Sequence, residues 1–137
     1  MSAQIISGRA IADEIRAELK DDVETLIADH DVTPGLAVVL VGADPASQMY
    51  VGMKNKAAKA MGIHSRQIDL DADVSEDELL GVIDGLNADA EIHGILVQLP
   101  LPGHIDEGKV IEAPDLHDVR RNFNQSLCSC ERVAACL

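Results

Sequence analysis

Apolar side chains recur every three or four residues near the start of the chain, which is the period of an amphipathic helix. The positions are Ile11, Ile15, Leu19, Val23, Leu26 and Ile27. They place one apolar stripe along the chain and predict a helix from about Gly8 to Asp29.

Two continuous apolar runs, each too short for a helix, follow further along the chain. Leu36 to Gly42 is the first, and His93 to Leu99 is the second, which ends in the polar Gln98. Such runs are typical of strands that are covered on both faces in a parallel sheet. Ile63 to Leu70 alternates between apolar and polar positions and is predicted as a further strand.

Helix start signals stand between these strands. Asp44 followed by Pro45 predicts an N-cap and a proline in the first helical position, with the helix running to about Met61. Residues 75–78, Ser-Glu-Asp-Glu, form a capping box that predicts another helix through Leu86.

Strands that alternate with helices predict an α/β fold, a three-layer α/β domain with a largely parallel sheet. Ligands of such folds usually bind beyond the carboxyl ends of the strands. Here that edge holds residues 42–47 and residues 98–103, which is where we expect the chemistry.

Composition narrows the classes of partner. The 137 residues are 47% apolar, enough for the core of one domain, and carry a formal net charge of -13. Phosphate backbones and anionic membrane surfaces would be repelled, and one Tyr, one Phe and no Trp leave little to stack bases on. No apolar run approaches the roughly 18 residues of a membrane span. We therefore expect no nucleic-acid partner, no membrane partner and a cytoplasmic location.

The cysteines are confined to the end of the chain. Cys128, Cys130 and Cys136 all fall in the last ten residues, and their odd number does not suit a disulfide framework. Two interpretations stay open: a metal site of the Cys-x-Cys pair with His117, or an irregular tail. The second is favoured, because residues 119–137 show neither helical nor strand periodicity.

Three functional side chains on the second predicted helix share one face. Ser47, Tyr50 and Lys54 are spaced three and four residues apart, so a hydroxyl, a phenol and an amine can converge. A desolvated lysine can relay protons near neutral pH. Gln98, at the end of a neighbouring strand, can accept a hydrogen bond from that amine without supplying a countercharge.

Each of these side chains also has a purely structural interpretation. Lys54 can be a solvated lysine on an amphipathic helix. The ring of Tyr50 can pack at a helix–sheet junction instead of against a ligand. Gln98 can cap loop backbone instead of orienting Lys54.

Two long motifs resemble one enzyme family. Residues 41–54, Val-Gly-Ala-Asp-Pro-Ala-Ser-Gln-Met-Tyr-Val-Gly-Met-Lys, and residues 94–102, Gly-Ile-Leu-Val-Gln-Leu-Pro-Leu-Pro, closely resemble the paired signatures of the bifunctional methylenetetrahydrofolate dehydrogenase/cyclohydrolase family. The opening residues 6–12 also resemble the start of that family. The resemblance covers residues 1–118, which we expect to form a folate-binding catalytic domain.

The resemblance implies an activity and a set of site residues. Lys54 would be the essential proton-transfer residue and Gln98 its partner. The substrate-binding positions would be Ser47, Tyr50, Pro100 and Asp118. The family oxidises 5,10-methylenetetrahydrofolate to the methenyl form with NADP and hydrolyses that product to 10-formyltetrahydrofolate, so the implied partners are tetrahydrofolate derivatives. Family members are homodimers, and the sequence leaves the oligomeric state of this chain open.

The chain departs from the family pattern at its end. The family's Lys-Asp-Val-Asp-Gly motif corresponds to residues 117–121, His-Asp-Val-Arg-Arg, so Arg120 stands where the second, pterin-binding Asp belongs. The chain has no Gly-x-Gly-x-x-Gly motif and no room for the family's Rossmann domain. We therefore expect a truncated copy that binds no NADP by itself.

Three functions remain open on these residues. Hydrolysis of methenyltetrahydrofolate needs no cofactor and could survive, whereas NADP-dependent oxidation is not expected from this polypeptide alone. The rival is a non-catalytic folate-binding fragment or the inactive product of a disrupted gene. The third is the substrate domain of another two-domain dehydrogenase, which suits the architecture but not the paired motifs.

Overall fold

Helices and strands alternate along residues 7–113, the part of the chain that this computed structural model describes. The elements are α1 (Gly8–His30), β1 (Gly35–Val41), α2 (Pro45–Ala60), β2 (His64–Leu70), α3 (Glu76–Asn87), β3 (Gly94–Val97) and α4 (Glu107–Glu112). The three long helices and three strands predicted from the sequence are confirmed close to their predicted bounds.

The strands form one parallel sheet in the order β2-β1-β3. Val39 at the middle of β1 pairs with Ile68 of β2 on one side and with Val97 of β3 on the other. The central strand is thus the first of the three in the chain. The predicted parallel sheet is confirmed.

Alternating side chains of β1 pack into two different cores. Ala37, Val39 and Val41 belong to a core that includes Leu79 of α3 and Val110 of α4. Val38 and Leu40 pack with Val51 of α2 on the opposite face. Helices therefore cover both faces of the sheet, which confirms the predicted three-layer α/β architecture.

Helix α1 completes the layer on the α2 side. Its buried residues Leu19 and Val23 pack with Ala58 and Met61 at the end of α2. Gly62 ends that helix with φ of 81°, a conformation that side chains other than glycine rarely adopt. The chain can then turn directly into β2.

The second apolar run was predicted to be a further buried strand, and the structure corrects the extent of its burial. All four residues of β3 are half-buried, whereas β1 is buried at every position except Leu36. The reason is strand order: β3 lies at one edge of the sheet formed by the described residues, while β1 lies between two neighbours. An apolar sequence shows that a strand is buried, but not which strand is central.

Helix α4 was not predicted. It has only six residues, and its N-cap Asp106 accepts hydrogen bonds from the backbone N–H groups of Gly108 at 2.9 Å and Lys109 at 3.4 Å. Val110 is fully buried in the α3-side core, so tertiary packing holds a helix too short for a periodic signal.

Surface contacts also tie α4 to the start of α3. Glu76 accepts a hydrogen bond from the backbone of Asp106 at 2.8 Å and pairs with the amine of Lys109 at 2.7 Å. The hydrogen bond from Lys109 is the main cause that lowers the pKa of Glu76, and the same contact raises the pKa of Lys109.

No helix within residues 7–113 combines the length and apolar character needed to cross a membrane. The predicted tail, residues 119–137, and the end of the predicted folate-binding domain lie outside the described residues, so both boundaries stay predictions.

Candidate functional site

The site predicted from the sequence lies at the point where the chain reverses its direction across the sheet. The connection through α2 leads from β1 to one neighbouring strand, and the connection through α3 returns to the other side of β1. The two helices lie on opposite faces, as right-handed crossovers running in opposite directions require. The carboxyl ends of β1 and β3 therefore border the crevice in which open α/β sheets bind ligands.

Lys54 and Gln98 meet at this edge. The Nζ atom of Lys54 donates a hydrogen bond to Oε1 of Gln98 at 3.1 Å, and both residues are half-buried. Gln98 is placed there by its backbone, because its N–H donates to the carbonyl of Val39 at 2.9 Å and extends the β3 pairing by one residue. Two residues 44 positions apart are thus brought into contact by the parallel sheet.

The side-chain amide of Gln98 is held at both ends. Its Nε2 donates to the carbonyl oxygen of Leu99 at 2.7 Å, which leaves Oε1 directed at Lys54. The amide orientation is assigned from this network, since a carbonyl can accept only from the NH₂ end. Within residues 7–113 Lys54 has no carboxylate partner, so its amine is oriented by a neutral group.

The ring of Tyr50 is open to solvent. Tyr50 is 52% exposed, one turn before Lys54 on α2, and is therefore not packed in the helix–sheet junction. Met49 at 60% and Met53 at 52% exposure flank it on the same helix, and Leu99 at 38% follows Gln98. These exposed apolar side chains around the Lys54–Gln98 pair offer a surface suited to a flat aromatic ligand.

Ser47 is more buried than Tyr50 and forms its hydrogen bonds at the start of α2. It is only 5% exposed, and its backbone N–H donates to Oδ2 of the N-cap Asp44 at 2.8 Å. This backbone hydrogen bond, with a second from the Ser47 side chain, lowers the pKa of the Asp44 carboxyl. Ser47 thus stabilises the end of the helix that carries Tyr50 and Lys54.

Pro100 lies in the exposed part of the loop that leaves β3. The Leu99–Pro100 peptide bond is cis, and Pro100 itself is exposed. The next residue, Leu101, is buried in the α3-side core, and its backbone N–H donates to Oε1 of Glu107 at 3.0 Å. The loop therefore leaves Pro100 exposed two residues after Gln98, while Leu101 is anchored in the core.

Some predicted site residues cannot be placed. Asp118 lies outside the described residues, as do His117, Cys128 and Cys130 of the alternative metal site. Within residues 7–113 no group of three or more His, Cys, Asp or Glu side chains could hold a metal ion.

A cavity lies at the carboxyl ends of β1 and β2, and it adjoins the predicted sheet edge only through residues that follow β1. Its volume is about 620 Å³, and its polar lining comes from Gln48, Gln67, Asp69 and Asp71. Gly42 and Ala43 of the predicted edge line the cavity, but neither Lys54 nor Gln98 does. The sequence therefore indicated the part of the cavity that follows β1 and not the part contributed by β2.

The starts of α2, α3 and α4 do not suit the pyrophosphate of NADP, which the family resemblance implies. Phosphates bind at helix N-termini with free backbone N–H groups. Here α2 begins with Asp44 and Pro45, so a carboxylate occupies the position and one N–H is absent. The first turn of α3 contains three acidic residues, and α4 begins with Asp106 and Glu107. Each carboxylate would repel a phosphate at that end.

Comparisons with known proteins show the family of this chain. Residues 6–118 match the family model described as tetrahydrofolate dehydrogenase/cyclohydrolase, catalytic domain. Bifunctional protein FolD 1 of Roseobacter denitrificans is 58% identical over 113 residues, which are 82% of this chain and 38% of that protein. Bifunctional protein FolD 1/3 of Ruegeria pomeroyi is 56% identical over 115 residues, 84% of this chain and 39% of that protein.

Solved structures show the same fold. The bifunctional enzyme FolD of Campylobacter jejuni has a TM-score of 0.75 at 43% identity, over 77% of this chain and 37% of that one. A 5,10-methylenetetrahydrofolate dehydrogenase from the silkworm Bombyx mori has a TM-score of 0.79 at 42% identity, over 82% and 39%. The chain thus spans about two fifths of the length of the relatives it matches.

Proposed function

The chain belongs to the tetrahydrofolate dehydrogenase/cyclohydrolase family, and from that premise we propose that residues 1–118 are a folate-binding catalytic domain that hydrolyses 5,10-methenyltetrahydrofolate to 10-formyltetrahydrofolate. The observation that carries the proposal is the 3.1 Å hydrogen bond between Lys54 and Gln98 at the carboxyl edge of the sheet. A half-buried amine held by a neutral amide beside an exposed tyrosine ring suits proton transfer on a planar substrate.

In this reaction the protein needs only to position the substrate and water and to transfer protons. The methenyl carbon is already electrophilic, so water can attack it, forming a carbon–oxygen bond and losing a proton. The new hydroxyl group then loses its proton as the formyl carbonyl forms, the bond from this carbon to one of its two nitrogens breaks, and that nitrogen takes up a proton. Two protons are lost and one is taken up, so one proton is released overall. We assign to Lys54 the relay between the attacking water and the departing nitrogen.

The remaining residues are proposed to bind and orient the substrate. Gln98 holds the amine of Lys54 in place through its carbonyl oxygen. The exposed ring of Tyr50 would lie against the pterin, and Pro100 would border it from the loop after β3. The role proposed for Ser47 is indirect, because its hydrogen bonds to Asp44 stabilise the start of α2. Asp118 is proposed as a substrate-binding residue on the family resemblance alone.

The oxidation step is not assigned to these residues. NADP supplies hydride acceptance in the full-length family, and a solved relative from Trypanosoma brucei is described as complexed with NADP cofactor and inhibitor. The acidic starts of α2, α3 and α4 support the proposal that these helices do not hold the dinucleotide. Hydrolysis is therefore the activity to test first.

The test follows loss of 5,10-methenyltetrahydrofolate absorbance above the rate in buffer, and measures folate binding separately by fluorescence titration. Lys54→Met keeps most of the side-chain length but removes the amine, and should lower the hydrolysis rate by at least about 100-fold while binding persists. Lys56→Met is the matched control, because Lys56 is an exposed lysine two residues further along the same helix. It should leave the rate unchanged.

The alternatives correspond to distinct outcomes. Folate binding without hydrolysis by the unaltered chain would favour the non-catalytic fragment. A folded chain that binds no folate would overturn the proposal altogether. Binding of amino or hydroxy acids in its place would favour the substrate domain of another dehydrogenase.

A further inference from the structure

The loop between β3 and α4 is held by a carboxylate that no sequence motif singled out. Glu107, the first residue of α4, accepts a hydrogen bond through Oε1 from the backbone N–H of Leu101 at 3.0 Å. This bond is partly buried, and the side chain of Leu101 is buried beside it in the α3-side core. The loop backbone is therefore fixed three residues after Gln98.

The short segment between Gln98 and Leu101 is fixed at both ends. The N–H of Gln98 donates to the carbonyl of Val39 at 2.9 Å, and the N–H of Leu101 donates to Glu107. Only Leu99 and Pro100 lie between these two anchors. The position of the Leu99 carbonyl is thus set by bonds made on either side of it.

That carbonyl determines which end of the Gln98 amide faces Lys54. It accepts from Nε2 of Gln98 at 2.7 Å, and Oε1 is left to accept from Lys54 at 3.1 Å. If the Leu99 carbonyl moved away, the amide could turn over and place its NH₂ group against the lysine amine. Two donors would then face each other and the hydrogen bond would be lost.

We infer that Glu107 is a positioning residue for the Lys54–Gln98 pair, acting through the Leu101 N–H and the Leu99 carbonyl. Its carboxylate bonds to the loop backbone and not to Lys54 or Gln98, so it takes no direct part in proton transfer. The effect on reaction rate rests on the proposed hydrolysis, whereas the effect on the Gln98 amide does not.

The kinetic arm of the test compares two substitutions of Glu107. Glu107→Ala removes the acceptor and should lower kcat for methenyltetrahydrofolate hydrolysis by about tenfold. KM should change less than kcat, because Pro100 is the only one of the proposed substrate-binding residues within 7–113 that lies in the loop anchored by Glu107. Glu107→Gln keeps an acceptor oxygen at the same position and should restore most of the rate.

Glu76→Ala is the control for a general loosening of α4. Glu76 anchors the start of α4 through Asp106 and Lys109 but makes no bond to Leu101. It should leave kcat near the unaltered value. An equal loss of kcat in Glu76→Ala and Glu107→Ala would assign the effect to α4 stability and overturn the inference.

The structural arm needs no activity. Nuclear magnetic resonance on the full 137-residue chain can follow the side-chain NH₂ signals of Gln98 and the exchange of the Leu101 amide proton. In Glu107→Ala the Gln98 NH₂ signals and the exchange rate of the Leu101 amide proton should both change. In Glu107→Gln and Glu76→Ala both quantities should match those of the unaltered chain. Should the alanine variant not fold, Glu107→Asp keeps the charge while withdrawing the oxygen from Leu101, and should give the same changes.

The two proposals fail in different ways. Gln98 signals that stay unchanged while the Leu101 amide exchanges faster would overturn the role of Glu107, whatever the activity. Absence of hydrolysis in the unaltered chain, with the expected Gln98 changes in Glu107→Ala, would overturn the proposed function and leave the positioning role standing.

Discussion

The two faces of the sheet differ in what they pack. On the face covered by α3 and α4, Leu79, Ile83 and Val110 are fully buried in one continuous core. On the face covered by α2, the cores are smaller, and Lys54 stands beside them in contact with Gln98. We conclude that the face covered by α3 and α4 mainly stabilises the domain. The face covered by α2 has less apolar packing and holds polar groups at the sheet edge.

One loop connects the two faces. Leu101 and Ile105 belong to the α3-side core, yet the same loop begins at Gln98, which bonds to Lys54 on the α2 side. Packing on the stabilising face can therefore fix the geometry of a polar pair on the other. The comparison predicts that truncating a buried apolar side chain on the α3 face lowers the free energy of unfolding, whereas truncating an exposed side chain near Lys54 on the α2 face weakens binding.

The largest expected effect is on the α3 face. Leu79→Ala removes a fully buried side chain and should lower the free energy of unfolding by about 2–5 kcal/mol, from lost burial and the cavity left behind. Ile111→Ala is the control, since Ile111 on α4 is 59% exposed and should cost far less. Chemical denaturation measures both. Equal losses would show that the two layers are not packed as described.

A smaller effect, of a different kind, is expected on the α2 face. Tyr50→Ala should weaken folate binding by about tenfold, because it removes the aromatic ring that is proposed to contact the pterin. The free energy of unfolding should change by no more than about 0.5 kcal/mol, because the ring is half exposed. Lys59→Ala, at an exposed site in the last turn of α2, should alter neither quantity. A Tyr50→Ala chain that unfolds more readily yet binds normally would contradict the division between the faces.

The smallest effect concerns pH and the start of α2. The pKa of Asp44 is lowered in the folded chain by hydrogen bonds from Ser47, so its contribution to stability is present above its ordinary pKa. That contribution is lost as the pH falls below about 4. Asp44→Asn can still cap the helix but cannot titrate.

The free energy of unfolding of Asp44→Asn and of the unaltered chain is measured from neutral pH to below about pH 4, and the two values are subtracted at each pH. The difference should be largest near neutral pH and shrink on acidification, because all other carboxylates are common to both proteins. Ser47→Ala, introduced into both proteins, removes the side-chain hydrogen bond to Asp44 and should narrow the difference. A difference that does not vary with pH would refute the assignment to Asp44.

Local patterns account for most of the fold that could be predicted. The apolar stripe of α1, the Asp44–Pro45 start of α2 and the capping Ser75 of α3 act over a few residues, and each is found where it was predicted. In α3 the hydroxyl of Ser75 accepts from the backbone N–H of Glu78 at 3.2 Å. Such signals can be recognised in the sequence because the residues that interact are close together in the chain.

The candidate site was predictable in part. The contact between Lys54 and Gln98 could be anticipated because the carboxyl ends of parallel strands meet at one edge, and the paired motifs pointed to the same two residues. The deep position of Ser47 and the bond from Leu101 to Glu107 could not. Both depend on how loops and helix ends pack, which no spacing rule describes. The roles of all these residues in catalysis stay predictions.

The sequence by itself determined the three long helices, the three strands and the parallel α/β architecture, because hydrophobic periodicity and capping are short-range effects. The expected meeting of Lys54 and Gln98 at the sheet edge followed from that architecture. Only the tertiary structure decided that β1 is central and β3 an edge strand, that six residues after Asp106 form a helix, and that a cavity opens beside β2. These features arise from contacts between residues far apart in the chain. Their energies depend on which surfaces meet, and a linear pattern does not contain that information.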